Sequence, residues 1–287
     1  MSAHPSTARP YKGLGMEGAI ARWYASLTKK SLEDFRALAR RTAERIPPQS
    51  SVLEVAPGPG YFAIELAKLG NYQITGLDIS ETFVGIARAN AAKAGVSVDF
   101  RHGNASQMPF ANESFNFLLC RAAFKNFSEP QCALEEMHRV LTPCGQAVII
   151  DLRGDASQES INQAVNEMNL GIVNGILTKL AFRFMLLKRA YTKSEFERMI
   201  SGTKFSDTEI QENLMGFEIL LSRERETAWS GGHSTQPWCP TPRRNRSRPA
   251  KETPGISHED FNPWDDRELG GDSHGRRFAF AFFWQPW

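Results

Sequence analysis

The sequence predicts an α/β fold, in which one mostly parallel β-sheet carries helices on both faces. Apolar runs of strand length alternate with helical segments over the first 152 residues, which is the order of a doubly wound sheet. The runs are nearly continuous in apolar residues, as expected for parallel strands that are buried on both sides. A glycine-rich loop over 57–60 joins the first strand to a helix. We expect seven strands, of which the last two form a hairpin.

The first half of the chain supplies the alternating elements. Residues 16–46 are predicted to be helical, with Ser31 as the N-cap of the second part, and Pro47 ends the segment. Ser80 caps a later helix, which Gly95 stops. The predicted strands span 51–56, 73–77, 96–101, 115–120 and 146–152. The predicted helices between them span 61–69, 81–94 and 130–141, with a turn at 143–145 before the fifth strand.

The pattern changes after residue 152. Residues 157–189 are helical in pattern and rich in Met, Leu and Phe, as one helix or as two broken at Gly171 or Gly175. We predict that the insert at about 157–190 is a lid over an apolar ligand; ordinary helix packing is the alternative. A helix over 193–201, capped by Thr192, precedes the hairpin strands at 207–212 and 216–221.

Composition divides the chain. Its 287 residues are about twice the length of a common domain. Residues 223–287 hold five of the six Trp but only two residues from the set Ile, Leu and Val, too few for an ordinary core. We therefore predict a flexible N-terminus over 1–15, one domain over 16–222 and a disordered tail over 223–287.

Charge and hydropathy limit the partners and the location. The net charge of +2 gives no reason to expect a nucleic acid partner. The most apolar helical stretch, 170–187, is interrupted by Lys179 and Arg183, so we expect no membrane span, while peripheral contact through the lid stays open. The N-terminus has no apolar leader, which predicts a cytoplasmic protein. The four Cys have no metal-ligand spacing, and we predict no metal.

The richest chemical signal is the segment EVAPGPG, which runs from Glu54 to Gly60. Gly58 and Gly60 follow the first strand and allow a ligand to approach the main chain closely. With Ala63 they match the G-x-G-x-x-G/A dinucleotide fingerprint, a weak signal alone. Asp78, at the end of the second strand, suits a contact to two ribose hydroxyls. Dehydrogenases and methyltransferases both use such a residue.

Three observations separate these two enzyme classes. Glu54 lies inside the first strand, where a carboxylate suits an ammonium group and would repel a pyrophosphate. The segment 103–105 follows the third strand, at the rim where an adenine edge could bind. No Tyr-x-x-x-Lys pair for hydride transfer occurs. An NAD(P)-dependent oxidoreductase is therefore the less favoured alternative.

The chain resembles the class I S-adenosylmethionine-dependent methyltransferases. The resemblance rests on VLEVAPGPG, ITGLDIS, HGNASQMPF, SFNFLLCRAAFKNFSEP, EEMHRVLTPCGQAVIID and YTKSEFERMI, in that order. It is closest to the small-molecule branch with a type 11 methyltransferase domain, related to the ubiquinone and menaquinone C-methyltransferases. The resemblance implies a Rossmann-like seven-stranded sheet with a reversed last strand. It also implies methyl transfer from S-adenosyl-L-methionine by in-line displacement to a small, apolar or aromatic acceptor, giving S-adenosylhomocysteine.

The resemblance also implies roles for residues that match the motifs. Glu54 would pair with the methionine ammonium, and Asp78 would hold the ribose hydroxyls. The other expected cofactor contacts are the backbones of Ala56, Gly58 and Gly60, Ile79, Asn104 and Ala105 at the adenine, Cys120 and Arg121 near the methionine, and Tyr24 as the closing tyrosine.

Acceptor contacts and catalytic groups are less well defined. Phe124, Lys125 and Asn126 follow the fourth strand, where the family places acceptor-facing residues, and they are our acceptor candidates. No general base stands out, so the sequence assigns no catalytic residue and leaves the presence of a base open. Pro57 and Pro59 replace residues usual in the family loop. This departure and the missing base keep open a methyltransferase-like binding or regulatory protein without turnover.

Overall fold

The computed structural model describes residues 11–12, 15–167 and 172–224, and the predicted tail lies outside this part from residue 225 on. Its seven strands form one sheet in the order β3-β2-β1-β4-β5-β7-β6. The strands are β1 Ser51–Val55, β2 Gln73–Asp78, β3 Asp99–His102, β4 Phe115–Arg121, β5 Leu141–Leu152, β6 Asp207–Glu212 and β7 Gly216–Ser222.

Helices connect these strands. They are α1 Gly18–Thr28, α2 Leu32–Arg45, α3 Tyr61–Ala67, α4 Glu81–Ala94, α5 Pro130–Val140, α6 Gln158–Glu167, α7 Ile172–Ala181 and α8 Lys193–Ser201. Short 3₁₀ segments cover Lys29–Ser31 and Phe124–Asn126, and a π-helix covers Phe182–Leu186. Within the described residues, no helix is both long and apolar enough to cross a membrane.

The sheet confirms the predicted fold class. Strands β1 to β5 pair in parallel, whereas β7 is antiparallel to both β5 and β6. In the register of the central strands, Val55 lies beside Leu77 and Cys120, so the carboxyl ends of β1, β2 and β4 are level. Loops that follow these three strands therefore meet at one edge of the sheet, where α/β proteins bind ligands.

Two buried apolar clusters cover the two faces of the sheet. Neighbouring residues of one strand alternate between them: Leu119 belongs to the first cluster, with α2 and α3, while Leu118 belongs to the second, with α5 and α8. This alternation explains why the strand sequences are apolar at nearly every position.

Local signals set most helix ends as predicted. The Ser80 hydroxyl accepts a hydrogen bond from the Phe83 amide, and Gly95 ends α4 in the left-handed conformation. Thr192 and Glu195 form a capping box at the start of α8. The predicted helix over 16–46 is divided by the 3₁₀ turn, and Ser31 precedes α2 without a side-chain cap bond.

The fifth strand is longer than predicted. It begins at Leu141, directly after α5, and passes through the expected turn at 143–145. Cys144 takes a positive φ of 64°, and the pairing with β4 shifts between Phe115 and Phe117. The prediction of a turn outside the strand was therefore wrong, because the irregular backbone is accommodated as a bulge in the pairing.

The insert after β5 packs against the core. Gly175 lies within α7, so a break there was wrong, and residues 168–171 lie outside the described part. Phe182, Leu186 and Leu187 are buried in the first cluster together with α6 side chains. The described part of the insert thus contributes to the core, and its role as a lid stays a prediction.

Candidate active site

A cavity of about 450 Å³ lies at the carboxyl ends of β1, β2 and β4 and beneath α1. Its volume is in the range of small-molecule sites. It brings together most of the residues predicted from sequence. Those that line it are Tyr24, Glu54, Ala56, Gly58, Asp78, Ile79, Asn104, Ala105, Arg121 and Asn126.

Asp78 is a buried carboxyl group at the end of β2. Its Oδ2 accepts a hydrogen bond from the Gly58 amide at 2.9 Å, and its Oδ1 accepts one from the Ser80 amide at 2.9 Å. Burial raises the pKa of Asp78 to about 6, although these two bonds oppose the rise. Because each oxygen has a second lone pair, the group can also accept two hydroxyl protons from a ligand.

Glu54 is the second buried carboxyl group of the cavity. Its Oε2 accepts a hydrogen bond from the Ala63 amide in the first turn of α3, at 3.1 Å. Burial raises the pKa of Glu54 to about 8, while the Ala63 bond and the charge of Arg121 oppose the rise. A cationic group bound beside Glu54 would favour its charged form and reverse the shift.

The two loop glycines have different surroundings. Gly58 has a φ of +54°, and a Cβ added there would meet only Tyr24 Cε1, at 4.0 Å. Gly60 has a φ of +77°, but a Cβ there would lie 2.6 Å from the Phe100 ring. Gly60 is not among the lining residues, because it lies at the contact of α3 with the sheet. Gly58 faces open space where a ligand can approach the main chain.

Two alanines take the left-handed conformation at the ends of adjacent strands. Ala56 follows β1 with a φ of 55°, and Ala122 follows β4 with a φ of 58°. The Ala56 amide donates to the Leu77 carbonyl at 2.8 Å, and the Ala122 amide donates to the Ile150 carbonyl at 2.6 Å. Both residues line the cavity. Non-glycine residues in this region are strained, and such strain is concentrated at functional sites.

The cavity wall after β2 and β3 is formed by Ile79, Asn104 and Ala105, together with Gly103. The Asn104 Oδ1 atom accepts a hydrogen bond from the Ser106 amide at 3.0 Å, which fixes the side chain. Its amide nitrogen and a second lone pair remain available to a base edge. We call this half of the cavity, from Glu54 to Ala105, the cofactor end.

An N-terminal strap, residues 11–12 and 15–17, covers the cavity. Sequence analysis missed Tyr11, Met16 and Glu17, which all line it. The Ser80 hydroxyl donates to the Met16 carbonyl at 2.6 Å, and Glu17 accepts from the amide and hydroxyl of Thr82. No local motif indicated these contacts, since residues 1–15 were predicted to be flexible.

The opposite half of the cavity, which we call the acceptor end, is mainly apolar. The Arg121 guanidinium lies 4.6 Å from the centre of the Phe35 ring, and burial lowers its pKa. Burial also raises the pKa of the Tyr11 phenol. The lining residues of this end are Tyr11, Thr28, Phe35, Ala122, Ala123, Asn126 and Phe127. Arg121 borders both ends, because it lies near Phe35 and also lowers the pKa of Glu54.

Three other predicted site residues do not line the cavity. Cys120 is fully buried in the second apolar cluster, where burial raises the pKa of its thiol. Phe124 packs on Phe127 and Phe196 at ring distances of 5.4 and 5.1 Å. Lys125 turns into the protein and pairs with Asp151. No described residue of the insert over 157–190 lines the cavity either.

Comparisons with known proteins agree with this arrangement. The methyltransferase domain family matches residues 53–149. The demethylmenaquinone methyltransferase of Deinococcus radiodurans is 37% identical over 107 residues, which cover 37% of this chain and 44% of that protein. The enzyme of the same name from Chlorobaculum parvum is 32% identical over 143 residues, or 50% of this chain and 56% of that protein. The chain thus spans about half the length of these curated relatives.

Solved structures share the fold. A Methanococcus maripaludis protein assigned to the S-adenosyl-L-methionine-dependent methyltransferases superposes with a TM-score of 0.60 and 19% identity, over 80% of this chain and 100% of that chain. The SpnF cyclase superposes with a TM-score of 0.52 and 18% identity, over 72% and 95%. At these identities the likeness shows the fold alone. Residues 53–149 therefore match a methyltransferase domain and are similar to the demethylmenaquinone methyltransferases, and the chain shares the fold of a solved S-adenosyl-L-methionine-dependent methyltransferase.

Proposed function

We propose that the protein transfers a methyl group from S-adenosyl-L-methionine to a small, apolar acceptor ring of the quinone class. The observation that carries the proposal is that two buried carboxyl groups, Glu54 and Asp78, line the same cavity as the open backbone at Gly58. Such an arrangement suits a ligand that carries both a ribose and an ammonium group and that lies close to the main chain.

The residues at the cofactor end fit this ligand. The raised pKa of Glu54, about 8, describes a carboxyl group buried without a full countercharge, which the methionine ammonium would supply. Asp78 would accept both ribose hydroxyls, with the main chain at Gly58 beneath the sugar. Ile79, Asn104 and Ala105 would hold the adenine. Arg121 lines the cavity close enough to Glu54 to lower its pKa, and its cation would suit the methionine carboxylate.

The contribution of the chain to the reaction is alignment of the two reactants. When bound, S-adenosylmethionine would supply an electrophilic methyl group. In-line displacement would break the bond between sulfur and methyl, form the bond to the acceptor and leave S-adenosylhomocysteine, while the acceptor releases one proton to water. The strap and α1 line one side of the cavity, and the two carboxyl groups would fix the ammonium and the ribose of the cofactor. Orientation of two reactants can account for much of a rate enhancement without a general base. None of the lining residues is a histidine, lysine or cysteine.

The acceptor end supports a flat, apolar acceptor. Phe35 and Phe127 supply aromatic rings to the lining, and Ala122 and Ala123 supply small apolar side chains. The related enzymes are named for demethylmenaquinone, which gives the quinone class as the acceptor to test first. A cytoplasmic location and the absence of nucleic acid partners remain part of this proposal.

Calorimetry and a transfer assay test the proposal. S-adenosylhomocysteine should bind the full chain, whereas NAD should not, which separates a methyltransferase from an oxidoreductase. Tritium from methyl-labelled S-adenosylmethionine should then pass to chemically reduced 1,4-naphthoquinone. No binding of S-adenosylhomocysteine would refute the function. Binding with no transfer to naphthoquinol or to any component of a metabolite extract would favour a protein without methyl transfer, a possibility to which the SpnF cyclase points.

A further inference from the structure

A buried ion pair lies directly behind the acceptor end of the cavity. The ammonium of Lys125 is 2.9 Å from Oδ1 of Asp151, and the two residues are only 2% and 1% exposed. Lys125 belongs to the segment between β4 and α5, and Asp151 is near the end of the neighbouring strand β5. Neither side chain lines the cavity, so neither touches a ligand there.

The pair also fixes main-chain groups. Oδ2 of Asp151 accepts a hydrogen bond from the Lys125 amide at 2.9 Å, and Oδ1 accepts one from the Leu152 amide at 2.7 Å. The Lys125 ammonium donates to the carbonyl of the left-handed Ala122 at 2.8 Å. Both ends of the turn from Ala122 to Lys125 are thereby tied to β5, at a point where the backbone is strained.

The turn held in this way shapes the acceptor end. Ala122, Ala123, Asn126 and Phe127 line the cavity. The Asn126 carbonyl accepts a hydrogen bond from the Lys12 amide at 2.8 Å, and Tyr11 forms a β-bridge with Phe127. The position of the turn is therefore passed on to the strap that covers the cavity.

Stability alone does not account for a pair of this kind. Two apolar side chains of similar size would often stabilise a protein interior as well as a buried ion pair. Apolar side chains, however, cannot hold the Ala122 carbonyl and the Lys125 amide at the same time. The specific consequence of the pair is therefore the geometry of the turn and of the strap.

We propose that Lys125 and Asp151 are positioning residues, which place the acceptor end and the strap while leaving the cofactor end unaffected. The proposal rests on the proposed methyl transfer for its kinetic test. Its structural test, exchange of the Lys12 amide, needs no acceptor.

Three variants and one control test the positioning role. Lys125→Met removes the cation, the double variant K125M/D151N removes both charges, and Lys125→Arg keeps a cation. The control is Arg139→Met, because Arg139 also pairs with an acid, Glu136, and holds the Phe110 and Met108 carbonyls, away from the cavity. The readouts on the full chain are S-adenosylhomocysteine affinity, KM and kcat for 1,4-naphthoquinol, and amide hydrogen exchange.

We expect the two variants without a cation at position 125, Lys125→Met and K125M/D151N, to affect the acceptor end but not the cofactor end. KM for naphthoquinol should rise about tenfold or more in both, because a displaced turn would contact the bound acceptor less well. S-adenosylhomocysteine affinity should stay within about threefold, since Glu54 and Asp78 keep their supports. Exchange of the Lys12 and Ala122 amides should accelerate. Lys125→Arg should restore KM to within about threefold of the parent, and Arg139→Met should change none of these values.

The outcomes that overturn the proposal are distinct from a failure of the proposed function. A folded K125M/D151N variant with unchanged exchange at Lys12 would refute the positioning role, whatever the acceptor. The positioning role would also be refuted if S-adenosylhomocysteine affinity fell in parallel with acceptor binding, or if neither Lys125→Met nor K125M/D151N folded. Either result would mean that the pair serves general stability. If the parent chain binds S-adenosylhomocysteine but does not methylate naphthoquinol, and the variants show faster Lys12 exchange, only the quinone acceptor is refuted.

Discussion

The two ends of the cavity are built from different kinds of contact. The cofactor end is assembled by Glu54, Gly58 and Asp78, which lie within 25 residues of sequence on one β-α-β unit. The acceptor end needs Tyr11 to meet Phe127 and Lys125 to meet Asp151. The first end is local and polar, whereas the second is formed by distant, mainly apolar segments. Residues that are close in sequence thus form the cofactor end, whereas packing of distant segments forms the acceptor end.

The sharpest test of the cofactor end is Asp78→Ala. We expect S-adenosylhomocysteine affinity to fall by about 100-fold or more, because two hydrogen bonds to a charged group contribute about 1.5–3 kcal/mol each. Calorimetry measures the loss. The control is Asp99→Ala on β3, whose carboxylate is half exposed and pairs with Arg101. A loss of less than tenfold in Asp78→Ala would place the ribose elsewhere.

The pH dependence of binding tests Glu54. Below pH 8 the free protein holds Glu54 protonated, since burial raises its pKa to about 8. An ammonium ligand favours the carboxylate, so binding in this range releases a proton and becomes tighter as the pH rises. We expect affinity to increase by up to about tenfold per pH unit from pH 6.5 and to level off near pH 8.

Glu54→Gln is the matched variant for this experiment. It should bind S-adenosylhomocysteine more weakly and with little pH dependence over the same range, because the amide does not titrate. The ligand-free variant should also be more stable than the parent above pH 8. An acid whose native pKa is raised loses stability as the pH rises from its unfolded value towards 8. Equal pH slopes in both proteins would contradict the ammonium contact.

The two glycines separate a ligand contact from a packing contact. Gly60→Ala should lower the free energy of unfolding by about 2 kcal/mol, because the added Cβ would lie 2.6 Å from the Phe100 ring in a left-handed residue. Gly58→Ala adds the backbone strain but meets open space, so we expect about 1 kcal/mol. Its larger effect should be on cofactor affinity. Denaturant unfolding and calorimetry measure both, and a larger stability loss in Gly58→Ala would reverse the assignment.

The smallest predicted effect concerns the strap. Tyr11→Ala should raise KM for 1,4-naphthoquinol about three- to fivefold while S-adenosylhomocysteine affinity stays within about twofold, because one ring is lost from the acceptor end. Tyr72→Ala is the control, since Tyr72 is also partly buried but does not line the cavity. An equal loss of cofactor affinity in Tyr11→Ala would erase the distinction between the two ends.

The sequence alone predicted the fold and pointed to ten residues that line one cavity, for physical reasons. Apolar runs buried on both faces indicate a parallel sheet, and Asp78 follows its strand at the expected edge. The sequence could not show that Lys125 is buried, because its partner Asp151 is 26 residues away on another strand. It could not show the strap either, since residue 11 carries no signal for pairing with residue 127. The sequence did not decide between a lid and a core for the insert, because Met, Leu and Phe are equally suited to both.

The left-handed alanines after β1 and β4 have a consequence for engineering. Each keeps a methyl group where glycine would be relaxed, at a cost of roughly 1 kcal/mol per residue. Replacement of Ala56 or Ala122 by glycine would relieve that strain and would also give the unfolded chain more freedom. These two effects on the free energy of unfolding oppose each other. Either replacement would also make the backbone beside the cavity less rigid. Substitutions meant to raise thermal stability should therefore keep both alanines and be made at surface positions far from the cavity.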